Sequence, residues 1–332
     1  MNRYPANSLV FCGLSLAALA VLIITPALGL DWIPPSTLWR DPESLAAMIL
    51  REIRIPRTLT AFCVGAALAL SGASFQSMFR NPLATPFTLG VASGASLGSA
   101  VYIRLGGNWS AWGLNGLNMA AFAGSLLAVT LVYGLTRMRR GFSTATLLLA
   151  GVAVSFFFSS LILFIQYASG MAHSFRIIRW MMGSIEVTGY RPLLSLLPFL
   201  LAGALILATL YRELNLLTLG DELAAARGVD VNRAKQLVFT AASLLVGGVV
   251  AICGPIGFVG MMAPHVCRLL LGSDHRSLLP AAILGGGIFL VLCDTLARTL
   301  MAPLEIPVGV ITALLGGPFF IWLLLTRDEA RG

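Results

Sequence analysis

The chain has 332 residues, 58% of them hydrophobic and 11% charged, with a formal net charge of +8. No soluble domain of this length could bury that share of apolar side chains in one core, so the class is an integral membrane protein. The positive balance does not point to nucleic acid, because the basic residues stand singly or in short clusters between apolar runs, as membrane topology places them.

A helix crosses a bilayer in about 20 apolar residues, and on that measure about ten spans follow one another. They fall at roughly 8–30, 57–79, 88–105, 116–136, 144–168, 191–211, 236–254, 256–271, 278–298 and 307–326. The count stays open between about nine and eleven, because the eighth run is short and carries Pro264, His265 and Arg268, and the third follows a Pro-rich break. The first run, preceded by Arg3, is longer than a signal peptide's apolar region and is followed by many others, so it reads as an uncleaved span.

With both termini inside, thirteen basic residues fall on the cytoplasmic side and nine outside. That obeys the positive-inside rule weakly. Arg139, Arg140 and the polar stretch 219–235 decide the orientation, while Arg51, Arg54 and Arg57 crowd one external edge where topology gives no reason for them. Gly65, Gly72, Gly90, Gly94 and Gly98, set among alanines, predict close helix packing. Pro82 and Pro86 break the chain after the second span, and Gly254-Pro255 with Pro264 break it around the eighth. Broken helices in membranes often line a cavity or a moving part. The recurrence of a Gly and a Pro at the same spacing, Gly72 with Pro82 and Gly254 with Pro264, hints at an internal repeat.

Residues 219–235, LGDELAAARGVDVNRAK, form the longest polar interval between apolar blocks and belong in water or against another protein. Good helix formers at 221–227 predict a short helix that Gly228 ends as a left-handed cap. Asp230 or Asn232 then caps a second helix that runs on into the next span.

Chemistry is sparse. No Walker A pattern occurs and Lys235 is the sole lysine, so the chain does not grip a nucleotide in a P-loop. His173, His265 and His275 lie in unrelated settings with no GxSxG elbow, so a serine hydrolase fails and no catalytic residue is assigned. Cys12, Cys63, Cys253, Cys267 and Cys293 lack paired spacing and point to neither a disulfide framework nor a metal site. Ion-coupled transport wants acidic residues inside spans. The one candidate, Asp294, stands four residues before Arg298, which predicts a structural ion pair on one helix face, with Glu305 close enough in sequence to join.

The string RIPRTLTAFCVGAALALSGASFQSMFRNPLATPFTLGVASGA from Arg54 resembles the opening signature of the FecCD family. The likeness continues through STATLLLAGVAVS from Ser143, WMMGS from Trp180, LGDELAAARGV, GPIGFVGMMAPHVCRLLLGSDHRSLLPAAILGG from Gly254 and LEIPVGVITALLGGPFFIWLLL from Leu304. That family comprises permease subunits of type II ABC importers for iron-siderophores, haem and cobalamin.

The resemblance implies an all-α integral membrane protein, a type II ABC importer permease bundle of about ten transmembrane helices. Residues 1–332 then make a single permease domain in the inner (plasma) membrane, with residues 215–235 as its cytoplasmic coupling helices. It implies a homodimer surrounded by lipid, two ATPase subunits that use ATP-Mg while this chain binds no cofactor and is no enzyme, and a periplasmic or lipid-anchored solute-binding protein.

Residue by residue, the resemblance assigns Gly220, Asp221, Glu222, Ala226, Arg227 and Gly228 to the ATPase contact. Arg54, Arg57 and Arg298 match external arginines that receive the binding protein, with lipid phosphates as the competing partner. Ser143 and Thr144 match the cytoplasmic gate, although an ordinary helix N-cap looks the same in sequence. Residues 170–186 resemble a short external helix, where His173 reads as solvated. The expected cargo is an iron-siderophore, with cobalamin or haem as the alternative within the family and a secondary transporter or channel as the alternative outside it.

Overall fold

The computed structural model describes residues 4–111, 114–138 and 144–328. In chain order these form α1 (Tyr4–Ile24), α2 (Thr37–Arg40), α3 (Leu45–Ile49), α4 (Ile55–Phe79) and α5 (Val91–Arg104). Next come α6 (Gly116–Met138), α7 (Thr144–Tyr167), α8 (Met171–Met181), α9 (Arg191–Thr209) and α10 (Tyr211–Leu217). The chain continues with α11 (Asp221–Ala226), α12 (Val231–Cys253), α13 (Val259–Leu271), α14 (His275–Thr299) and α15 (Val308–Asp328). Apart from helices there is an antiparallel pairing of Ser110–Ala111 with Leu114–Asn115.

All ten apolar stretches expected to span the membrane fall on helices, but they are not equally long. Among the described residues, seven helical runs are long and apolar enough to cross a bilayer. Helices α5 and α13 have 14 and 13 residues. At the α-helical rise they reach about 20 Å, short of the roughly 30 Å hydrocarbon layer. Ten is therefore an approximate count of crossings.

The second span begins earlier than its apolar pattern predicts. Leu45–Phe79 is one helical run of 35 residues, made of α3, a π-helical turn at Leu50–Arg54, and α4. The π turn, in which the Ile55 N–H reaches the Leu50 carbonyl, carries the helix up to Pro56, whose nitrogen has no proton to donate. Arg51 and Glu52 look like a span boundary in the sequence; in the fold they pair at 3.1 Å on the exposed side of a helix that continues past them.

The Leu45–Phe79 run is the central post. Of its most apolar stretch 83% is buried within the chain, against 72% for α12, 61% for α14, 17% for α9 and 11% for the first helix. The outer helices turn leucines such as Leu9 and Leu16 outward, as hydrocarbon permits. Small residues let the post come close to its neighbours. A Cβ on Gly65 would overlap the Gly286 carbonyl on α14, and one on Gly72 would overlap the Gly260 carbonyl on α13. Gly94 and Gly98 press on Gly124 and Ala120 of α6 in the same way. Gly90 has a different use: it holds φ +81 at the start of α5.

The breaks divide differently from the sequence expectation. Gly254, at φ 68, ends α12, and Phe258, at φ 65, starts α13. Pro264, expected to break the chain, lies inside α13. Its missing N–H leaves the Gly260 carbonyl without a helical donor, and that oxygen is the one facing Gly72. Gly72 lies mid-helix whereas Gly254 terminates one, so the shared Gly–Pro spacing marks no structural repeat. The irregular backbone is satisfied inside the protein: the Ser184 N–H donates to the Cys253 carbonyl at 2.8 Å and the Gly309 N–H to the Gly183 carbonyl at 3.1 Å.

Candidate functional site

Side-chain contacts place the expected site residues at opposite ends of the bundle. Helices α4 and α14 pack antiparallel: Arg57, near the start of α4, meets Asp294, near the end of α14, while Ser77 at the far end of α4 touches His275, the first residue of α14.

At the second of these ends the polar stretch folds against the bundle. Asn215 of α10 donates through Nδ2 to Asp274 Oδ1 at 2.8 Å, and its Oδ1 accepts from the His275 N–H at 2.9 Å. The Asn215 amide, together with the Arg276 N–H, holds the Asp274 carboxyl below the ordinary carboxylate range. Helix α11 then starts at Gly220, whose φ of 120 favours glycine. It closes with the Gly228 N–H on the Ala225 carbonyl at 2.9 Å and the Val229 N–H on the Ala224 carbonyl at 3.1 Å. That double bond pattern is a Schellman closure, and Gly228 holds its left-handed position at φ 85. Of the two candidate caps for α12, Asp230 does the capping, accepting from the Arg233 N–H at 3.0 Å.

Ala224 of α11 is buried against Leu217 and Ala234, which leaves Glu222, Ala226, Arg227 and Gly228 exposed on its outer side. Gly220 is buried, and Asp221 turns its carboxylate to Lys235 Nζ at 2.5 Å. Sequence reasoning missed Leu219 and Leu223, which are 50% and 56% exposed beside these polar groups. Their spacing of four on a polar segment was the available signal. Thr144 opens α7 at this same end and accepts from Lys235 Nζ at 3.1 Å. Ser143, expected beside it at the gate, lies outside the described residues.

At the opposite end the three arginines are engaged within the chain. Asp294, 2% exposed at its side chain, lies 3.0 Å from Arg57 Nη2 and 3.2 Å from Arg298 Nε, the latter being the expected pair four residues apart on α14. Glu305 joins through Arg57 Nη1 at 2.7 Å. Arg298 also donates to the Leu28 carbonyl at 2.9 Å. Arg54 donates to the Ala27 and Asp31 carbonyls, each at 3.1 Å. These guanidinium groups thus satisfy carbonyls where the chain leaves α1, groups that helix geometry orphans. Arg57 and Arg298 are 9% and 7% exposed at their side chains, so they do not stand free at a rim. Arg54 is half-buried, and Arg51 is the exposed cation of this edge.

Between the ends, the break after α12 packs against the exit of α8 and the start of α15. An apolar concavity of about 420 Å³ opens there, lined by Met181, Met182, Pro255, Gly309, Val310 and Leu314. The Gly254-Pro255 break was its signal in the sequence; the glycine and methionine partners come from chain segments far apart. His173, half-buried on α8, belongs to no group of three or more potential metal ligands among the described residues.

Comparison with known proteins puts this geometry in context. Residues 16–326 match the FecCD transport family. The uncharacterized ABC transporter permease protein YvrB of Bacillus subtilis is 42% identical over 100% of this chain and 96% of its own length. The hemin transport system permease protein HmuU of Yersinia pestis is 41% identical over 89% of each chain. The vitamin B12 import system permease protein BtuC of Klebsiella pneumoniae is 40% identical over 96% of this chain and 94% of its own. A solved ABC transporter assigned to the metal-chelate type, in an inward-facing conformation, superposes with a TM-score of 0.85 at 35% identity, covering 96% of this chain and 99% of that one.

Proposed function

The chain belongs to the FecCD transport family, and from that premise we propose that it is the membrane-spanning permease subunit of a type II ABC importer that carries a metal chelate inward. The observation that carries the reading is the match along nearly the whole chain to permeases whose named cargoes are hemin and vitamin B12. Both are metals held in a large tetrapyrrole ring, so within the chelate class these cargoes rank ahead of an iron-siderophore, which remains the alternative.

On this reading two copies enclose one path, and the α10–α11 end faces the cytoplasm together with both termini. The exposed face of α11 supplies what a groove on an ATPase subunit needs, with Leu219 and Leu223 as apolar anchors and Glu222, Ala226, Arg227 and Gly228 around them. That subunit, present twice, hydrolyses ATP-Mg. Closure of the pair moves α11, and the motion changes which end of the path is open.

A solute-binding protein delivers cargo at the opposite end. Arg54, Arg57 and Arg298 form its docking edge in this reading, but two of them lie under the surface and are neutralised by Asp294 and Glu305. Direct charge contact therefore falls to Arg54 and its exposed neighbour Arg51. An ion-coupled mechanism has weaker support: Asp294, a buried acidic residue within a span, is held by two arginines and is not available as a carrier site.

The test is uptake into proteoliposomes by the complex purified with its co-expressed ATPase and binding protein, using haem, cyanocobalamin and a ferric siderophore in turn. ATP-dependent uptake of one chelate, lost when the ATPase's catalytic glutamate is replaced, is the expected result. Uptake that survives that replacement or follows a proton gradient refutes the proposal.

A further inference from the structure

Lys235 is the sole lysine of the chain, and it is 2% exposed at its side chain. A buried ammonium persists only where partners replace the water it has lost. Here the partners come from two other elements: the Asp221 carboxylate in the first turn of α11, at 2.5 Å, and the Thr144 hydroxyl at the first residue of α7, at 3.1 Å. Lys235 itself stands on the second turn of α12, whose most apolar stretch is 72% buried, and α12 packs on the central post. One cation therefore ties a short surface helix to the inner end of a spanning helix, and its own backbone belongs to the rigid core.

The three groups differ in how freely they can move. Asp221 is 43% exposed at its side chain and rides on a helix of six residues, whereas Lys235 is enclosed. Displacing α11 lengthens the Asp221–Lys235 contact first. The ammonium, with three donors and, among the described residues, two side-chain acceptors, Asp221 and Thr144, must then shift its hold on Thr144. A hydroxyl at the start of α7 thus responds to the position of α11 through a single side chain.

We propose that Lys235 is a positioning residue for transport: it couples the place of α11 to the orientation of Thr144 at the inner end of α7. This rests on the importer reading above, in which α11 is what the ATPase moves.

The experiment uses the complex with its ATPase in a Cys12→Ser, Cys63→Ser background, carrying Ala145→Cys at the exposed position after Thr144. The readout is the labelling rate of that cysteine by a hydrophilic maleimide, with and without ATP, alongside the hydrolysis rate. With Lys235 present, ATP changes labelling about fivefold or more, the usual scale of coupling between sites. Lys235→Met brings the ratio close to one while hydrolysis stays within about twofold, and the swapped pair Asp221→Lys with Lys235→Asp restores the response. If Lys235→Met does not assemble with the ATPase, Lys235→Gln, which keeps a polar head group without the charge, carries the same test. A full ATP response in the single variants overturns the tie, as does failure of the swapped pair to restore a lost response. An unresponsive Lys235 background overturns the importer reading itself and the tie with it.

Discussion

Replacing Asp294 by Asn removes a negative charge held between two guanidinium groups while keeping the side chain's shape. The carboxylate lies 3.0 Å from Arg57 and 3.2 Å from Arg298, with 2% of its side chain exposed. At these separations and an effective dielectric of about 20, each attraction is about 5 kcal/mol before the cost of dehydrating the ions is counted. Truncating one partner of a buried pair costs about 3–5 kcal/mol, because the remaining charge stays buried and uncompensated. Arg57 keeps Glu305 and Arg298 keeps the Leu28 carbonyl, which places the expected loss near the lower limit, about 3 kcal/mol.

Glu305 provides the internal comparison. It binds the same Arg57 at 2.7 Å, closer than Asp294 does, but its side chain is 49% exposed. Water screens that pair, so Glu305→Gln should cost less than about 1 kcal/mol. Thermal denaturation of the detergent-solubilised protein, followed by the monodisperse fraction on size exclusion, separates the two. Asp294→Asn should lower the midpoint by about 5 °C and Glu305→Gln by under about 2 °C. Equal shifts, or a larger one for Glu305→Gln, would refute the argument that burial, not distance, sets the strength of this cluster.

Two further outcomes follow from the packing and the loop chemistry. Gly72→Ala drives a methyl group into the Gly260 carbonyl and should cost about 1–3 kcal/mol, whereas Gly13→Ala on α1, with nothing within 4 Å, should be neutral or mildly stabilising; the denaturation midpoints check both. Asp274 is held below the ordinary carboxylate range by Asn215 and the Arg276 N–H. Its contribution is complete above the unfolded value of about 3.9 and is lost as pH falls through the lower folded value, so Asp274→Asn should lose less stability than the parent chain as pH falls below about 4.

Much of this arrangement was legible in the residue string because it depends on near neighbours. Hydrophobic runs marked ten stretches that all fall on helices, since a backbone in hydrocarbon must satisfy its own hydrogen bonds and leaves few alternatives. The Gly228 turn and the Asp230 cap follow from backbone sterics and from a side chain reaching an N–H three residues on, and both appear where expected. The Asp294–Arg298 pair follows from helical pitch. Where a local signal misled, another force competed. The apolar pattern starts the second span at residue 57, yet its helix begins at Leu45, because the charged turn between lies at an exposed edge where Arg51 and Glu52 pair. Pro264 looked like a break, yet its freed carbonyl faces a glycine on the central post.

Tertiary structure decided what no spacing encodes. Arg57 and Asp294 are 237 positions apart and meet only because α4 and α14 run antiparallel in contact. That meeting turns arginines expected at an external edge into buried struts that clasp the exit of α1. Lys235 reads in the sequence as one more charge in a solvated stretch; enclosure by α7, α11 and α12 makes it a three-way junction. Periodicity and capping depend on bonds within a few residues of one another and can be read along a line. The strength and role of a charge depend on how much water and which partners the folded neighbours leave it, and these are fixed only once the helices have packed.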